Sequence, residues 1–488
     1  MFDKLKQLTK ETAIYGISTI LGRFLNFILV PFYTNIFPPE EYGIVTNVYA
    51  FIAIMNIVFI YGMDSAYLKF ASSDEFPDKK ETFSTPTISI ILTSVVLTIF
   101  VLIFKQPVMD FLSIKPDYSI IIFYTVLILV LDALAMLPFI YIRLENKAFK
   151  FTAIRVGSIV LNVLLNIVLI VYFRWGVEAV FFSNVIASLF ILICLLPLYF
   201  KNLRLKFNNI LFKRFLKFGL PYLPGGLAAI FLHVIDRPIV EHLTNLKTLG
   251  IYQANYRLGI FMMLFVMMFQ YAWQPFFLHN AKEENAKEIF SKVFTYFTIT
   301  GGIILVTISL FIDDLVKIQI MNKSFIGEAY WGGLSIVPII LLAYLFNGFH
   351  YIFSAGLFIR EKSNSVPLIM GIAAGVNIAV NFILIPVMDI FGAALATLAS
   401  YFVLAAGFFI VSQKLYNIKY EYSKMIRLFS LLTVSGFIYY YTIVALDSGI
   451  FLKVLFLAVF LIFLLLFKII EKNEFMFMKN LLLKRFKG

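Results

Sequence analysis

Apolar runs of about 20 residues recur along the whole chain and restrict what it can fold into. A run of that length crosses a hydrocarbon core of roughly 30 Å as an α-helix, whose backbone polar groups bond to one another. Of the 488 residues, 61% are hydrophobic and 14% are charged, as expected of a polytopic membrane protein. The continuous runs favour helices over the alternating strands of a membrane barrel. We predict fourteen spans, at approximately 12–34, 43–67, 84–104, 118–142, 152–173, 177–200, 219–240, 250–278, 289–312, 332–358, 367–387, 391–411, 426–446 and 450–470.

Lys and Arg residues are distributed unevenly between the two sets of connecting segments. With a cytoplasmic N-terminus and these span limits, the cytoplasmic segments hold 27 of the 41 basic residues, the opposite side holds 6, and eight lie within spans. Because basic residues concentrate in cytoplasmic loops, both termini are predicted to be cytoplasmic. This topology, with anionic lipid headgroups as partners, accounts for the net charge of +13, so nucleic-acid binding is not expected. The first span is too long for a signal-peptide core and lacks a cleavage site, so we expect it to be retained.

Two short patterns occur in the same order in the two halves of the chain. Asn-x-x-x-Asn followed by an apolar run occurs at 162–170 and at 377–385, and a Gly-Ile…Tyr pattern occurs at 43–49 and at 250–256. The offsets are 215 and 207 residues, which indicates a repeat of six spans. An even number of spans inserts both repeats the same way up. The predicted fold is all-α, with parallel six-helix halves at 1–205 and 206–415 and two further helices in 416–488.

A basic segment joins the predicted halves. Over 203–218 its apolar and basic residues fall on opposite helical faces, which predicts an amphipathic helix on the inner leaflet. Directly after it, span seven is interrupted by Pro and Gly, at Pro221, Pro224, Gly225 and Gly226. We predict a bend there, either as a hinge for alternating access or as ordinary kinked packing.

Motifs for enzymatic or metal chemistry are missing from the sequence. It has no G-x-x-x-x-G-K-[ST] phosphate loop, its four histidines are scattered, and its single cysteine, Cys194, lies in an apolar run. The longest outer segment, about 313–331, leaves no room for an extramembrane catalytic domain. Secondary transport is therefore the leading prediction. It needs no cofactor, and its energy would come from an H⁺ or Na⁺ gradient or from the membrane potential.

Three ionisable residues lie deep inside predicted spans: Arg23, Asp132 and Arg257. Each costs roughly 2.5–3.5 kcal/mol at the bilayer centre unless it reaches water or a partner. One arginine could pair with Asp132 as a structural bridge, which would leave the other as a surplus cation. Because a guanidinium binds phosphate through a planar fork, the competing interpretation is a cavity for a phosphate- or carboxylate-bearing substrate. Asn26, one turn from Arg23, extends this polar stripe.

Four further charged residues lie nearer the ends of their spans. Arg155 and Arg237 are secondary candidates for substrate binding, and Asp64 and Asp236 follow Asp132 as candidates for ion coupling. For all four, the alternative is a side chain that reaches the interface without contacting substrate.

Four segments carry a resemblance to a known family: "TAIYGISTILGRFLNFILVPFYT" (12–34), "EEYGIVTNVYAF" (40–51), "YGMDSAYLKF" (61–70) and "LKTLGIYQANYRLG" (246–259). The chain resembles the polysaccharide transport family of the multidrug/oligosaccharidyl-lipid/polysaccharide (MOP) exporter superfamily, over essentially its whole length. The resemblance implies a flippase of the bacterial inner membrane that alternates between inward- and outward-open states. Its substrate would be an undecaprenyl-pyrophosphate-linked oligosaccharide for O-antigen, capsule or exopolysaccharide, and polysaccharide polymerase or assembly proteins would be candidate partners.

The resemblance also suggests roles for two of the deep arginines. In the related lipid II flippases, arginines on spans one and eight are implicated in the pyrophosphate cavity, and Arg23 and Arg257 lie on those spans here. Those relatives also use an arginine on span two, which this chain lacks, so lipid II itself is disfavoured. Two alternatives stay open. A small-molecule cation antiporter of the multidrug and toxin extrusion (MATE) branch would usually have twelve spans, and a membrane-embedded sugar polymerase or ligase would be expected to carry a large outer catalytic loop.

Overall fold

The structure is a computed structural model that describes residue 16 and residues 20–73, 75–76, 78–320, 322–440 and 449–469. Helices make up nearly all of this part of the chain, which confirms the predicted all-α fold class. The sheet found in the described residues is a short antiparallel hairpin, in which Gln319 pairs with Ser324 and Ile320 with Lys323.

Twelve α-helices lie between residues 20 and 256 of the described chain. They are α1 (Ile20–Thr34), α2 (Pro39–Ile60), α3 (Met63–Ser72), α4 (Lys79–Ile103), α5 (Lys105–Phe111), α6 (Ile120–Leu144), α7 (Ala148–Ile167), α8 (Glu178–Asn202), α9 (Asn209–Gly219), α10 (Tyr222–Val234), α11 (Asp236–Leu243) and α12 (Leu246–Tyr256). A 3₁₀ turn at Pro116–Tyr118 precedes α6, and a π-helical turn at Val168–Tyr172 extends α7.

The helices from residue 260 onward are fewer and longer. They are α13 (Ile260–Asn280), α14 (Ala286–Lys317), α15 (Val337–Phe353), α16 (Ala355–Ile359), α17 (Val366–Leu415), α18 (Tyr422–Ile438) and α19 (Ile450–Leu466). Between α14 and α15 lie the strands β1 (Gln319–Ile320) and β2 (Lys323–Ser324) and a 3₁₀ helix at Glu328–Ile336. Short 3₁₀ turns at Arg257–Gly259 and Ser363–Ser365 lead into α13 and α17.

The long helices make this a multi-pass membrane protein. Within the described residues, nine helical segments are long and apolar enough to cross a bilayer, or ten if the bent pair α9 and α10 forms one span. The helices α1 and α19 are apolar but shorter. The total of fourteen spans therefore stays a prediction.

Helix α17 contains a break that divides it into two membrane-crossing lengths. Its 50 residues would extend about 75 Å at ~1.5 Å per residue, more than twice the hydrocarbon thickness. Asp389 interrupts the helix with φ 51° and ψ −133°. A Cβ on Gly392 would lie 2.5 Å from the carbonyl oxygen of Leu384, so the chain folds back on itself at this point. The two arms correspond to the predicted spans 367–387 and 391–411.

The described chain packs into two compact units, each with its own apolar core. The first contains the described residues up to Arg257 together with Ile326–Gly333 and Val366–Ser400. The second contains Leu258–Phe325, Leu334–Ser365 and the described residues from Tyr401 onward. The predicted boundaries at 1–205, 206–415 and 416–488 refer to repeats in the sequence rather than to these units, and they stay a prediction.

In the first unit, α2 and α12 cross closely at their N-terminal ends. A Cβ on Gly43 would lie 2.1 Å from the Leu246 carbonyl oxygen, and a Cβ on Gly250 would lie 1.9 Å from the Pro39 carbonyl oxygen. Pro39 and Leu246 are the first residues of the two helices, and each glycine follows its own helix start by four residues. The contact is therefore reciprocal, which gives a physical reason why the Gly-Ile pattern occurs twice. Only a residue without a Cβ permits this approach.

The linker helix begins later than predicted. It covers Asn209–Gly219 rather than 203–218, because the side chain of Asn208 accepts hydrogen bonds from the backbone N–H groups of Ile210 and Leu211 and so fixes the N-terminus. A bend of 43° separates this helix from α10, next to the Pro–Gly segment where a break was predicted.

The apolar face of α9 packs on protein, whereas the sequence predicted that it would lie on the lipid surface. The ring of Phe215 lies 5.2 Å from the ring of Phe70 on α3, and a Cβ on Gly219 would lie 2.7 Å from the Gly62 carbonyl oxygen. The basic residues on the opposite face are exposed as predicted. The helix is amphipathic as predicted, but an apolar helical face can be buried by a neighbouring helix as well as by lipid.

Candidate functional site

A polar cavity of about 350 Å³ lies inside the first unit, between the shorter apolar helix α1 and helices that include α2, α6, α7 and α8, which are long enough to cross a membrane. Four helices each contribute residues at positions i, i+3, i+4 and i+7, the spacing of a single helical face. These residues are Asn26, Leu29, Val30 and Tyr33 on α1, Tyr42, Val45, Thr46 and Tyr49 on α2, Arg155, Ser158, Ile159 and Asn162 on α7, and Asn184, Ala187, Ser188 and Ile191 on α8. Asp132 of α6 and Arg257, directly after α12, complete the lining.

The cavity has an excess of positive charge. Arg155 and Arg257 supply two guanidinium groups and Asp132 one carboxylate, so the formal charge of the lining is +1. Hydroxyl and amide side chains supply the remaining polarity. Such a lining can bind an anionic group at the arginines and neutral oxygen atoms elsewhere.

Asp132 interacts with Ser188 and Arg155. The Ser188 hydroxyl donates a hydrogen bond of 2.8 Å to the Asp132 carboxylate, and Arg155 is the arginine that interacts electrostatically with it. As the alternative to a substrate site, the sequence predicted a structural ion pair between Asp132 and either Arg23 or Arg257. In the described part of the chain the carboxylate is instead balanced by Arg155, which the sequence ranked as secondary.

Arg155 is held by aromatic rings as well as by the carboxylate. Its guanidinium carbon lies 4.5 Å from the centre of the Phe139 ring and 5.8 Å from that of Phe151. Cation–π contacts of this kind stabilise a guanidinium that is poorly hydrated. They also fix its position beside the cavity, so Arg155 is better placed for ligand binding than an arginine that merely reaches the interface.

Arg257 lies beside a cluster of tyrosines. It interacts electrostatically with Tyr33, Tyr42 and Tyr49. The Tyr42 ring packs edge-on against Tyr330 at 5.9 Å, and the Tyr330 hydroxyl donates a 2.8 Å hydrogen bond to the carbonyl oxygen of Phe37. The tyrosines form a wall whose rings and hydroxyl groups are suited to a ring-shaped, hydroxyl-bearing ligand.

The other predicted site residues lie outside the cavity lining. Arg23 is an electrostatic neighbour of His233, as is Arg237. Asp236 is 4% exposed and accepts a 2.7 Å hydrogen bond from the Tyr252 hydroxyl. Asp64 lies in the first turn of α3. The cavity therefore brings together Asn26, Arg155, Arg257 and Asp132 of the predicted set, and it does not bring Arg23 together with Arg257.

Most of the neutral polar residues of the cavity were missed in the sequence. The missed residues include Thr46, Ser158, Asn162, Asn184 and Ser188, and the three tyrosines. A signal for them was present, because polar residues at helical spacing recur on one face of otherwise apolar spans. No group of three or more His, Cys, Asp or Glu residues suited to a metal ion occurs among the described residues.

Solved structures with the same fold are transport proteins. The lipid II flippase MurJ in an inward closed conformation matches with a TM-score of 0.73 at 16% identity, over 92% of this chain and 98% of that one. An inward-facing multidrug resistance transporter of the MATE family matches with a TM-score of 0.64 at 13% identity, over 80% and 94% of the two chains. At these identities the matches show a shared fold.

The sequence identifies a family, which is a narrower assignment than the shared fold. Residues 8–281 match the model of the polysaccharide biosynthesis protein family, which is more than half of the chain, so the chain belongs to that family. The family resemblance predicted from the four sequence segments is confirmed. Among proteins with curated functions, none matches this chain in sequence.

Proposed function

We propose that this protein is a flippase that moves an undecaprenyl-pyrophosphate-linked oligosaccharide from the inner to the outer leaflet of the bacterial inner membrane. The observation that carries the proposal is the cavity with two arginines and one carboxylate, inside a chain of the polysaccharide biosynthesis family. A pyrophosphate diester carries negative charge that cannot cross hydrocarbon unaided. Two guanidinium groups match that charge better than any single cation would.

The cavity lowers the barrier for the head of such a lipid and leaves its tail in the bilayer. Arg155 and Arg257 bind the pyrophosphate, and the hydroxyl, amide and tyrosine side chains surround the sugars. The polyprenyl chain is as apolar as the lipid around it, so it does not need a path through the protein. Alternating access then exposes the cavity first to one leaflet and then to the other.

Energy for transport would come through Asp132. This carboxylate faces the cavity and shares Arg155 with any anionic ligand that binds there. Asp132 is the cavity carboxylate that can bind H⁺ or Na⁺ once the pyrophosphate has left. An inward H⁺ or Na⁺ gradient drives export only by exchange, so in this mechanism the ion binds Asp132 in the outward-open state after the lipid has left and is released on the cytoplasmic side.

The similarity to MATE transporters suggests a cation antiporter as the second candidate. The match to the inward-facing MATE transporter favours it at the level of the fold. The charge of the cavity argues against it, because an organic cation would have to approach two arginines with one carboxylate as counter-charge.

The test is export of surface glycan by cells in which the chromosomal copy is deleted and variants are supplied on a plasmid. Arg257→Gln and Arg155→Gln should each lower export at least tenfold, about 1.4 kcal/mol, at equal protein abundance in the membrane. The matched control is Arg143→Gln, because Arg143 is exposed at the end of α6 and lies outside the cavity. Full export from the Arg155→Gln/Arg257→Gln double variant would disprove the proposal. Unchanged glycan in the deletion strain would disprove it as well.

A further inference from the structure

The two Asn-x-x-x-Asn motifs form the same local hydrogen bonds. In α7, the Asn166 amide nitrogen donates to the Asn162 backbone oxygen at 2.9 Å and to the Asn162 side-chain oxygen at 3.2 Å. In α17, the Asn381 amide nitrogen donates to the Asn377 backbone oxygen at 2.8 Å and to the Asn377 side-chain oxygen at 2.9 Å. The two motifs thus have the same local structure, in which the second asparagine donates a hydrogen bond to the side-chain oxygen of the first.

These bonds determine how the first asparagine of each motif is oriented. An amide has an oxygen that accepts and a nitrogen that donates, and the hydrogen-bond network decides which is which. The nitrogen of Asn166 is identified because it donates to a backbone carbonyl oxygen, which can only accept. The Asn162 atom that faces this nitrogen must therefore be the oxygen, and its own NH₂ group points away from Asn166.

The two copies differ in what the remaining groups contact. In α17, the Asn377 NH₂ group donates to the Ser400 hydroxyl at 3.2 Å, whereas the buried side-chain oxygen of Asn381 has no partner in the described structure. In α7, the Tyr33 hydroxyl donates to the Asn166 side-chain oxygen at 2.8 Å. Asn162 lines the cavity, and its NH₂ group makes no hydrogen bond with the described residues. The second copy is closed within the protein, and the first presents a fixed donor to the cavity.

We propose that the Asn162 NH₂ group binds an oxygen atom of the sugar head, and that Tyr33 and Asn166 are positioning residues that hold it in place. The inference rests on the proposed function, since the ligand is the head of the lipid-linked oligosaccharide. The two arginines already supply charged donors for the phosphate oxygens, whereas a neutral amide suits hydroxyl and carbonyl oxygens. Asn162 also lies two helical turns, about 10 Å along α7, from Arg155, so the helix can contact pyrophosphate and sugar together.

The first experiment measures surface glycan per molecule of protein in the deletion strain. Asn162→Ala should lower export about three- to tenfold at normal abundance, as expected for one lost neutral hydrogen bond. Asn377→Ala is the matched control, because Asn377 makes the same local bonds but donates to Ser400. Its export per molecule should be normal, whatever its abundance. Normal export from Asn162→Ala would overturn the inference and leave the proposed function intact.

The positioning role is tested by a double-mutant cycle. Tyr33→Phe keeps the ring and removes the hydroxyl that orients Asn166, so it should lower export in the wild-type background. It should have little further effect in the Asn162→Ala background, because both changes act through the same donor. If Tyr33→Phe is equally harmful in both backgrounds, Tyr33 acts independently and the positioning role is wrong.

Undecaprenyl pyrophosphate has no sugar, so its binding measures the contacts to phosphate without the contacts to the sugar. The purified wild-type protein and Asn162→Ala should bind it with equal affinity, whereas Arg257→Gln should bind it at least tenfold more weakly. If Asn162→Ala loses as much affinity as Arg257→Gln, Asn162 contacts phosphate and the sugar assignment is overturned. If the wild-type protein does not bind undecaprenyl pyrophosphate, the proposed function fails rather than this inference alone.

Discussion

An arginine within an apolar helix needs water, a counter-ion or an aromatic face close to its guanidinium. Arg155 lines a polar cavity, has Asp132 as its counter-ion and lies against two phenylalanine rings. Arg257 has a cavity and a tyrosine partner. The two arginines face one carboxylate in the cavity lining, so an anion that enters meets an excess of one positive charge.

Arg23 and Arg257 give the first prediction at this scale. Because Arg257 lines the cavity and Arg23 does not, Arg257→Ala should lower glycan export much more than Arg23→Ala, by about tenfold or more. Export and membrane abundance should be measured together, so that misfolding is separated from loss of binding. If Arg23→Ala abolishes export at normal abundance while Arg257→Ala does not, the pyrophosphate binds near Arg23 and His233 and not in the cavity.

Asp132 gives the second prediction. Asp132→Asn keeps a group that can accept the Ser188 hydrogen bond but removes the charge that binds an ion. Export should fall, and what remains should no longer depend on the proton or sodium gradient when ionophores collapse each in turn. Asp64→Asn and Asp236→Asn are the comparisons, since neither residue lines the cavity. Loss of ion dependence in one of those variants, with normal behaviour of Asp132→Asn, would move the coupling site elsewhere.

The sequence predicted part of this site and missed part of it for a physical reason. Arg257 and Asp132 were identified by depth, because an ionisable group deep in a span is costly wherever the helix lies. Depth does not distinguish Arg155, which lines the cavity, from Arg23, which does not, since the position of a residue along its helix does not show which neighbours its side chain faces. Asn162 belongs to the predicted repeat, but its orientation depends on Asn166, which is bonded to Tyr33, 133 residues before Asn166 in the chain.

The limits of the helices can be predicted from the sequence more directly than the contacts of the site, because the length of an apolar run and its capping residues are sufficient to define a helix. The break in α17 at Asp389 falls in the gap between two predicted spans. The predicted start of the linker helix was wrong by six residues because the Asn208 cap was overlooked. The packing of α9 on α3 could not be predicted, since an amphipathic pattern shows that a face is buried but not what buries it.

The reciprocal contact of α2 and α12 gives a prediction for these elements. Gly43→Ala would place a methyl group against the Leu246 carbonyl oxygen and force the helices apart, which should lower stability by roughly 1–3 kcal/mol. Gly250→Ala should act in the same way, at the Pro39 carbonyl oxygen. The melting temperature of the detergent-purified protein is the measurement.

Gly371→Ala is the matched control for these glycine substitutions. A Cβ at Gly371 would meet nothing within 4 Å, and Ala favours the helix by up to about 1 kcal/mol, so this variant should be neutral or slightly more stable. Equal melting temperatures for all three variants would show that the close contact of α2 and α12 is not needed for stability.

A buried ion cluster gives a second prediction for elements, in the second unit. Lys453 of α19 is almost fully buried and lies 2.8 Å from Asp313 and 2.6 Å from Asp314 at the end of α14. Asp313 and Asp314 are 33% and 41% exposed, so water partly screens the charges left behind, and Lys453→Met should reduce stability by roughly 1–2 kcal/mol, less than the loss of a fully buried partner. The triple change Lys453→Met/Asp313→Asn/Asp314→Asn should recover most of it. A stable Lys453→Met variant would indicate that water already neutralises the carboxylates.

At the scale of the whole molecule, the arrangement of the chain across the membrane decides which leaflet the cavity can serve. The distribution of Lys and Arg predicts cytoplasmic termini, and the family resemblance predicts transport from the inner leaflet outward. The fold is shared with MurJ, a lipid II flippase, and with multidrug resistance transporters of the MATE family, so the fold leaves the cargo open. Charge and hydrogen bonding within the cavity must select it.

Cysteine labelling tests the predicted topology in a background where the single native cysteine is replaced, Cys194→Ala. A membrane-impermeant maleimide should label Glu40→Cys and Glu328→Cys in intact spheroplasts, because both positions are exposed and lie in predicted outer segments. It should label Glu75→Cys and Leu205→Cys only after permeabilisation. Reporter fusions within 475–488, which lie outside the described residues, should report the cytoplasm. Labelling of Leu205→Cys from outside would contradict the fourteen-span count, since it would place the linker between the halves on the wrong side and make the repeats antiparallel.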